Sequence, residues 1–552
     1  MKMKKMFLYI IGILGFSACD FLETDVFDDL SETTVYNDQK SCEAGLAGVY
    51  DPLTDGKLYG GNLYLTFDAG SDLMIYNKQY SIGTTMLCLN NYSTVDTNLK
   101  NTWYYLYTGI NRANNFITQI TDKSAEVCGG ELNKKRLLAE AKGLRALYYM
   151  NLVSFWGDVP LRLQPTTNLN QQKMKRAPQI KVYEQIVSDL LVAATDCFAA
   201  DKWDNPGHIT QTTALALLAR AYMWMSGYPV YADKWEEALE CARKVRDSGL
   251  HELVQAREGI NGYQQLFMDM CADKYNIKES MFEIEMYGND LNITRESGSF
   301  GLSIGITQGC HTDPDHGYCY GFYDGTKILF RMYEDTDARK WWNFPNYGFG
   351  EDKSTGLVEK VYRTENDIKQ MEDGNAAKWR REYEVVRPLT QYSTSINVPV
   401  MRYSDVLLMI AEAANEVNGG PTQEAEDAIN EVRSRAGASK IKFGNYDLAT
   451  FRELVRDERA RELCFEGNRK MDLRRWGKDY YEYRIKMLAD QNIISDPGSK
   501  WDGKMVGYSL LSGTNTNIKA QPAIEFQSKH IYFPIPEAEM STNTLCSQNE
   551  GW

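Results

Sequence analysis

Glu283 and Glu285 lie two residues apart in the strand-like segment SMFEIEMY, a spacing that puts both carboxylates on one face of a strand. Held roughly 5 to 10 Å apart across a glycosidic bond, such a pair hydrolyses glycosides. An alternating strand also exposes Glu on its solvent face as a matter of course, and no catalytic residue is expected. The five histidines are His208, His251, His311, His316 and His530, and no GxSxG, HExxH or P-loop string occurs. Metal or nucleophilic catalysis therefore has little material to use. Residues 311–323, HTDPDHGYCYGFY, gather His311, Asp313, Asp315 and His316 with three tyrosines. The Asp oxygens offer ligands to a structural calcium, but EF-hand spacing and its closing Glu are missing, and no metal or cofactor is predicted.

A loop this rich in aromatic rings suits a sugar. Pyranose rings present an apolar C–H face that packs on an aromatic ring, while their hydroxyls need Asn, Asp, Gln or Arg at the edge. The chain carries 35 Tyr, 20 Phe and 11 Trp. The candidate ligand-stacking residues are Tyr76, Tyr80, Tyr287, Tyr320, Tyr323 and Trp341, with Asn77, Asn289 and Asp290 as polar partners. Trp103 and Trp224 fall on helical apolar stripes and are assigned to the core.

The densest run of charge comprises Arg452, Arg456, Asp457, Glu458, Arg459, Arg461, Glu462, Glu466, Arg469, Asp472, Arg474 and Arg475. Arg forks match phosphate or sulfate, but the acids nearly balance the bases. The expectation is an ion-pair network tying the last helices together, with Asp457 and Arg461 spaced as a helical pair.

The elements that position these groups are mostly helical. Apolar residues recur at three- and four-residue steps over 98–120, 134–155 and 181–198, and Gly157 with Pro160 stops the second run. Thr210 caps TTALALLARAYMWM, which is followed by ADKWEEALECARKV. Ala214, Ala221, Ala238 and Ala242 fall where two such helices would touch, the grammar of a tetratricopeptide-like hairpin. That grammar returns in RYSDVLLMIAEAANEV and TQEAEDAINEVRSRAG around the Gly419-Gly420-Pro421 break, and a helix over 448–465 closes the series. Between 255 and 400 the helical period weakens into short segments with Gly-, Asp- and Tyr-rich connections, where binding residues usually sit. The fold class expected is mostly α: an irregular stack of tetratricopeptide-like hairpins with a loop-rich variable region containing a few short strands.

Residues 1–18 form a signal peptide, with Lys2, Lys4 and Lys5 ahead of an apolar run ending in small residues. That run is about half the ~20 residues a spanning helix needs. Cys19 follows Ser17 and Ala18 directly, which resembles a bacterial lipobox; Cys19 is then the lipidation site, and several acyl chains hold far more firmly than one. The remaining ten cysteines form no CxxC and are read mostly as core. The 552-residue chain carries a formal charge of −14, so the attraction that drives nonspecific nucleic-acid binding is absent overall. The division expected is 1–18 signal peptide, 19–40 tether, 41–254 N-terminal helical part, 255–400 variable ligand-binding region and 401–552 C-terminal helical part.

Several segments in order resemble the SusD/RagB-like nutrient-binding outer-membrane lipoproteins: the lipobox at Cys19, CEAGLAGVYDPL, WYYLYTGINRAN, AEAKGLRALYYMNLVSFWGDVPL, RAPQIKVYEQIVSDL, MRYSDVLLMIAEAANEV, AINEVRSRAG, DERARELCFEGNRKMDLRRWG and HIYFPIPEAEM. The resemblance implies a single mostly helical fold on the outer face of the outer membrane. It also implies a lid on a SusC-like TonB-dependent transporter, to which a captured oligosaccharide is handed without catalysis. The RagB-like branch takes peptides instead, and a secreted glycoside hydrolase is the less expected third reading. The region 255–400 matches only in short pieces such as YEDTDAR, so ligand identity does not carry over.

Overall fold

The computed structural model describes residues 36–61, 63, 67–76, 83–168, 173–287, 298–310, 313–352, 354–370, 374–489 and 521–552. In chain order the elements are α1 (Gln39–Tyr50), β1 (Met74–Tyr76), α2 (Gly83–Cys88), α3 (Thr97–Asp122), α4 (Glu131–Trp156), β2 (Val159–Pro160), β3 (Arg176–Ala177), α5 (Gln179–Asp196), α6 (Gln211–Ser226), α7 (Trp235–Asp247) and α8 (Gly262–Cys271). Next come β4 (Ser280–Ile284), β5 (Tyr323–Gly325), α9 (Lys327–Met332), α10 (Ala338–Asn343), β6 (Tyr347–Glu351), β7 (Val358–Tyr362), α11 (Glu365–Gln370), β8 (Gly374–Asn375) and β9 (Val398–Arg402). The chain closes with α12 (Tyr403–Val417), α13 (Gln423–Arg435), α14 (Leu448–Leu463), α15 (Arg469–Arg475), α16 (Lys478–Lys486), α17 (Gln521–Glu525) and α18 (Glu537–Thr542).

The fold is mostly helical, as the periodicity predicts. Consecutive helices α3 to α7 pack pairwise, and α12 packs on both α13 and α14. Thr210 caps α6 by accepting the Thr213 N–H at 3.2 Å. The four small residues named above for the α6–α7 hairpin are buried to 1% exposure or less. The α3–α4 contact depends on Gly109, because a Cβ there would stand 2.2 Å from the Tyr148 ring. Among the described residues no helix is long and apolar enough to cross a membrane.

Helix α7 also packs directly on α12, so two hairpins some 150 residues apart in sequence are neighbours and the intervening chain loops out between them. Two small sheets stitch that chain to the scaffold. In one, β5 lies between β1 and β8, both antiparallel to it, with Tyr76 opposite Tyr323 and Ile75 opposite Asp324. In the other, β4 pairs with β9, which runs straight into α12. The variable region is thus built partly on a strand from the N-terminal part.

The C-terminal FPIP motif closes on the end of α4. Trp156 Nε1 donates to the Pro534 carbonyl at 3.0 Å and Phe533 N–H to the Phe155 carbonyl at 2.9 Å. Phe67, Phe155, Trp156 and Phe533 form one buried aromatic cluster. Two motifs nearly 400 residues apart are therefore one packing unit.

Candidate functional site

Burial alternates along Tyr318–Asp324. Cys319 and Tyr323 are 3% and 2% exposed, while Tyr318, Tyr320, Phe322 and Asp324 are partly exposed on the other side. Backbone bonds hold the segment down: Tyr320 N–H donates to the Leu302 carbonyl and Phe322 N–H to the Ser303 carbonyl, both at 2.8 Å. Between them Gly321 takes a left-handed φ of 55°, and a Cβ there would stand 2.0 Å from Thr307 Oγ1; only glycine fits both constraints. The Tyr320 and Phe322 rings stack at 4.7 Å and 17°, and the Tyr318 ring meets Tyr320 edge-on at 4.7 Å.

The ladder ends in polar groups. Asn375 of β8 donates to the Asp324 carboxylate at 3.3 Å, and its side-chain oxygen accepts the Thr307 N–H at 3.0 Å. An apolar ring surface bordered by carboxylate and amide is the arrangement a pyranose needs, with C–H groups on the rings and hydroxyls at the edge.

The sequence candidates divide. Tyr320 stands on this platform. Tyr323 and Tyr76 do not: they face each other across β5 and β1, rings edge-on at 5.4 Å, with Tyr76 only 6% exposed. These two are core and support the platform from beneath, since Tyr76 also touches the Phe322 ring at 5.8 Å. Trp341, on α10, is partly exposed but packs edge-on against Phe330 at 5.9 Å with the Lys340 ammonium 5.4 Å from its ring. Among the described residues it makes no ring contact with the platform. Tyr287 is 66% exposed, just beyond β4. Tyr80, with Asn77, Asn289, Asp290 and Cys19, lies outside the described residues. Phe322 and Tyr318 belong to the platform beyond the sequence candidates, and the two-residue alternation in YCYGFY is the signal that separates the outward Tyr-Tyr-Phe set from the inward Cys-Gly-Tyr set. Trp103 and Trp224 are buried, as their helical stripes predict.

Glu283 and Glu285 do share a face and line a cavity of about 450 Å³ together with Tyr50, Asn205 and His208. Both oxygens of Glu283 are engaged, one by Ser280 Oγ and the other by Asn397 Nδ2 at 3.0 Å. Burial raises the Glu283 carboxyl above its ordinary range against these two bonds; burial likewise raises Glu285, opposed by a bond from Tyr275. In the 311–323 segment, Asp313 is spent on its own turn, facing His316 Nδ1 at 2.9 Å and accepting from Gln308 and the Asp315 N–H. Among the described residues no three His, Cys, Asp or Glu side chains gather as a metal site, and no disulfide forms.

The Arg-rich string is a buried ion-pair network, and it reaches further than the last helices. Glu462 meets Arg402 at 3.0 Å and Arg339 at 3.1 Å, and also Arg435. Asp405 takes Arg220 of α6 and Arg459 of α14, each at 2.6 Å, while Asp472 binds Arg459 and Arg475. Arg469 and Arg484 close on Asp72 beside β1. Burial alone would raise these carboxyls, but the guanidiniums win: Asp72, Glu412 and Glu458 are held at about 2, and Asp405 and Glu462 well below the usual carboxylate range. The expected Asp457–Arg461 pair is not formed. Asp457, about a third exposed, points to Arg484 at 3.8 Å, and Arg461 pairs with the buried Glu458 at 2.8 Å.

A helical-hairpin scaffold displaying a half-exposed aromatic surface on an inserted, strand-stitched region defines a class of binding protein. The family model described as "SusD family" matches residues 278–552, and one described as "Starch-binding associating with outer membrane" matches residues 20–223. The chain belongs to the SusD-like family. It is 24% identical to SusD-like protein P25 of Formosa agariphila over 100% of this chain and 99% of that protein. It is also 23% identical to the starch-binding protein SusD of Bacteroides thetaiotaomicron, over 82% of this chain and 78% of that one. A crystal structure of a SusD homolog from Bacteroides thetaiotaomicron superposes with a TM-score of 0.82 at 26% identity, over 95% of this chain and 99% of the other. A laminarin-binding SusD-like protein shares the fold at a TM-score of 0.65 and 23% identity, over 94% of this chain and 100% of that one.

Proposed function

We propose that the protein captures oligosaccharides on the Tyr318–Tyr320–Phe322 face and delivers them, without chemistry, to a partner TonB-dependent transporter in the outer membrane. The observation that carries this reading is the stacked, half-exposed Tyr320–Phe322 pair ending at Asp324 and Asn375. Exposed Tyr287 and partly exposed Trp341, both in the variable region, are assigned to the ligand as well. The starch- and laminarin-binding relatives support the ligand class. Glu283, with both oxygens engaged by side chains, supports a binding role over hydrolysis. The family description of outer-membrane association supports the location; a lipid on Cys19 supplies the anchor, and the helical scaffold supplies the broad face a barrel partner needs.

Native affinity gels cast with soluble starch and with laminarin test the reading. The protein is expected to be retarded by at least one polymer, with no sugar released on prolonged incubation. Migration unchanged by both, or release of reducing ends that is lost on Glu285→Gln, would overturn it. Membrane attachment is checked separately: Cys19→Ala should move the protein out of the membrane fraction, and retention after a high-salt wash, which screens charge, would refute the anchor.

A further inference from the structure

A second surface has the composition of a sugar site and lies on different elements. Helix α3 buries Leu99, Leu106, Ile110 and Ala113. On another stripe it carries Asn101, Tyr104, Tyr107 and Asn111, at steps of three and four residues. With the chain after β2 and with α18, this stripe encloses a cleft of about 670 Å³, within the range of small-ligand sites.

Its chemistry is unexplained by packing. Tyr104 is 64% exposed, a large ring that contributes nothing to the core. Tyr107 is fixed, its hydroxyl donating to the Pro160 carbonyl at 2.8 Å and the Arg162 guanidinium lying 5.9 Å from its ring. Arg162 and Glu539 face each other at 3.9 Å, a loose ion pair at the cleft wall in which Glu539 Oε1 also accepts from Asn543 Nδ2 at 2.8 Å. Asn111 holds the Thr166 N–H at 2.9 Å with its side-chain oxygen. Among the described residues its amide nitrogen and the whole amide of Asn101 make no hydrogen bond. Two aromatic rings, two amides with unused donors and a loose Arg–Glu ion pair therefore converge on one concave surface.

We infer that this cleft is a second carbohydrate-binding site, taking a short run of pyranose rings stacked on Tyr104 with their hydroxyls on Asn101, Asn111, Arg162 and Glu539. It shares its ligand class with the platform on Tyr320 and Phe322, but no residue. Two sites on one chain also favour long polymers over short oligosaccharides, because the second contact is made at high effective concentration.

The test is calorimetric titration of the full chain in detergent with maltohexaose and with laminarihexaose, up to roughly 10 mM to reach millimolar affinities. Two sugars per chain are expected for at least one of these probes. Tyr104→Ala should weaken one site about tenfold, and Ala538→Trp, an exposed position on the cleft wall, should block it. Each variant should leave the site removed by Tyr320→Ala/Phe322→Ala intact. One sugar per chain, lost with the platform variant and indifferent to Tyr104→Ala and Ala538→Trp, would overturn the cleft and leave the platform standing. One sugar per chain, lost with the cleft variants alone, would do the reverse. Binding of neither probe would overturn both.

Discussion

The buried Arg–Glu network and the Tyr318–Asp324 segment invert what their side chains advertise. The network holds the most reactive-looking groups of the chain, yet Arg339 and Glu462 are fully enclosed and each of them is met by opposite charges. The aromatic segment buries its one thiol, Cys319, yet it puts three rings and a carboxylate at the solvent boundary. The difference lies in what burial costs. A desolvated charge survives only when paired and hydrogen-bonded, so a dense charge cluster in a stable fold becomes internal architecture. A ring left half-exposed forgoes part of the roughly 1.5–3 kcal/mol of full burial, and that unused surface is what a ligand can cover.

The largest effect should come from breaking the network. Glu462→Gln leaves Arg339, Arg402 and Arg435 sharing one lost charge in the interior, and removing one partner of a buried pair costs about 3–5 kcal/mol. Thermal unfolding should shift down by many degrees, and a melting point within two degrees of the wild type would refute the structural role. Binding by the fraction still folded should be unchanged.

Acid should act through the same groups. Glu412 and Glu458 sit at about 2 in the fold against an ordinary 4.5. Their contribution is therefore complete above about pH 4.5 and is lost as the pH falls toward 2. Asp68, raised by burial to about 6, runs the other way, since its protonated form is favoured and stability falls as the pH rises through 6. The raised carboxyls, Glu283 and Glu285 among them, act above their ordinary range and not below it, so chemical denaturation should show stability dropping steeply between about pH 4.5 and 2. A flat profile there would contradict the pairing.

Much of this contrast was legible in the sequence. Helical periodicity located the scaffold, the Thr210 cap and the two Ala-lined hairpins, because amphipathic helices write their packing into local spacing. The near balance of acids and bases in 452–475 identified a network rather than an anion site. Its outlying partners, Arg220, Asp72 and Glu279, the last meeting Arg402 at 3.2 Å and Arg435 at 2.8 Å, are invisible in the sequence because each is contributed by a distant element. At the platform the sequence marks the segment but not its two faces: Tyr323 and Tyr76 look like Tyr320 until the β1–β5 pairing turns them inward. A one-residue step separates Phe322, facing out, from Tyr323, facing β1.

That one-residue step offers a smaller, sharper test. Tyr323→Ala removes a ring buried against Tyr76 and should cost about 3–5 kcal/mol of stability, the range for deleting a large core side chain, with ligand loss tracking unfolding. Tyr287→Ala, at a 66% exposed position, should leave stability within about 0.5 kcal/mol and weaken binding severalfold at most; a large loss of stability would place it in the core.

The central claim is that the outward face of residues 318–324 holds the glycan while the inward face holds the fold. Titrating Tyr320→Ala/Phe322→Ala with whichever of starch or laminarin retards the wild-type protein, alongside a thermal melt, tests it most directly. Each well-placed stack contributes on the order of 1 kcal/mol beyond burial, and ~1.4 kcal/mol is one decade in affinity. At least about tenfold weaker binding at this face is expected, with a melting point close to the wild type. Undiminished affinity in a folded double variant would contradict the account.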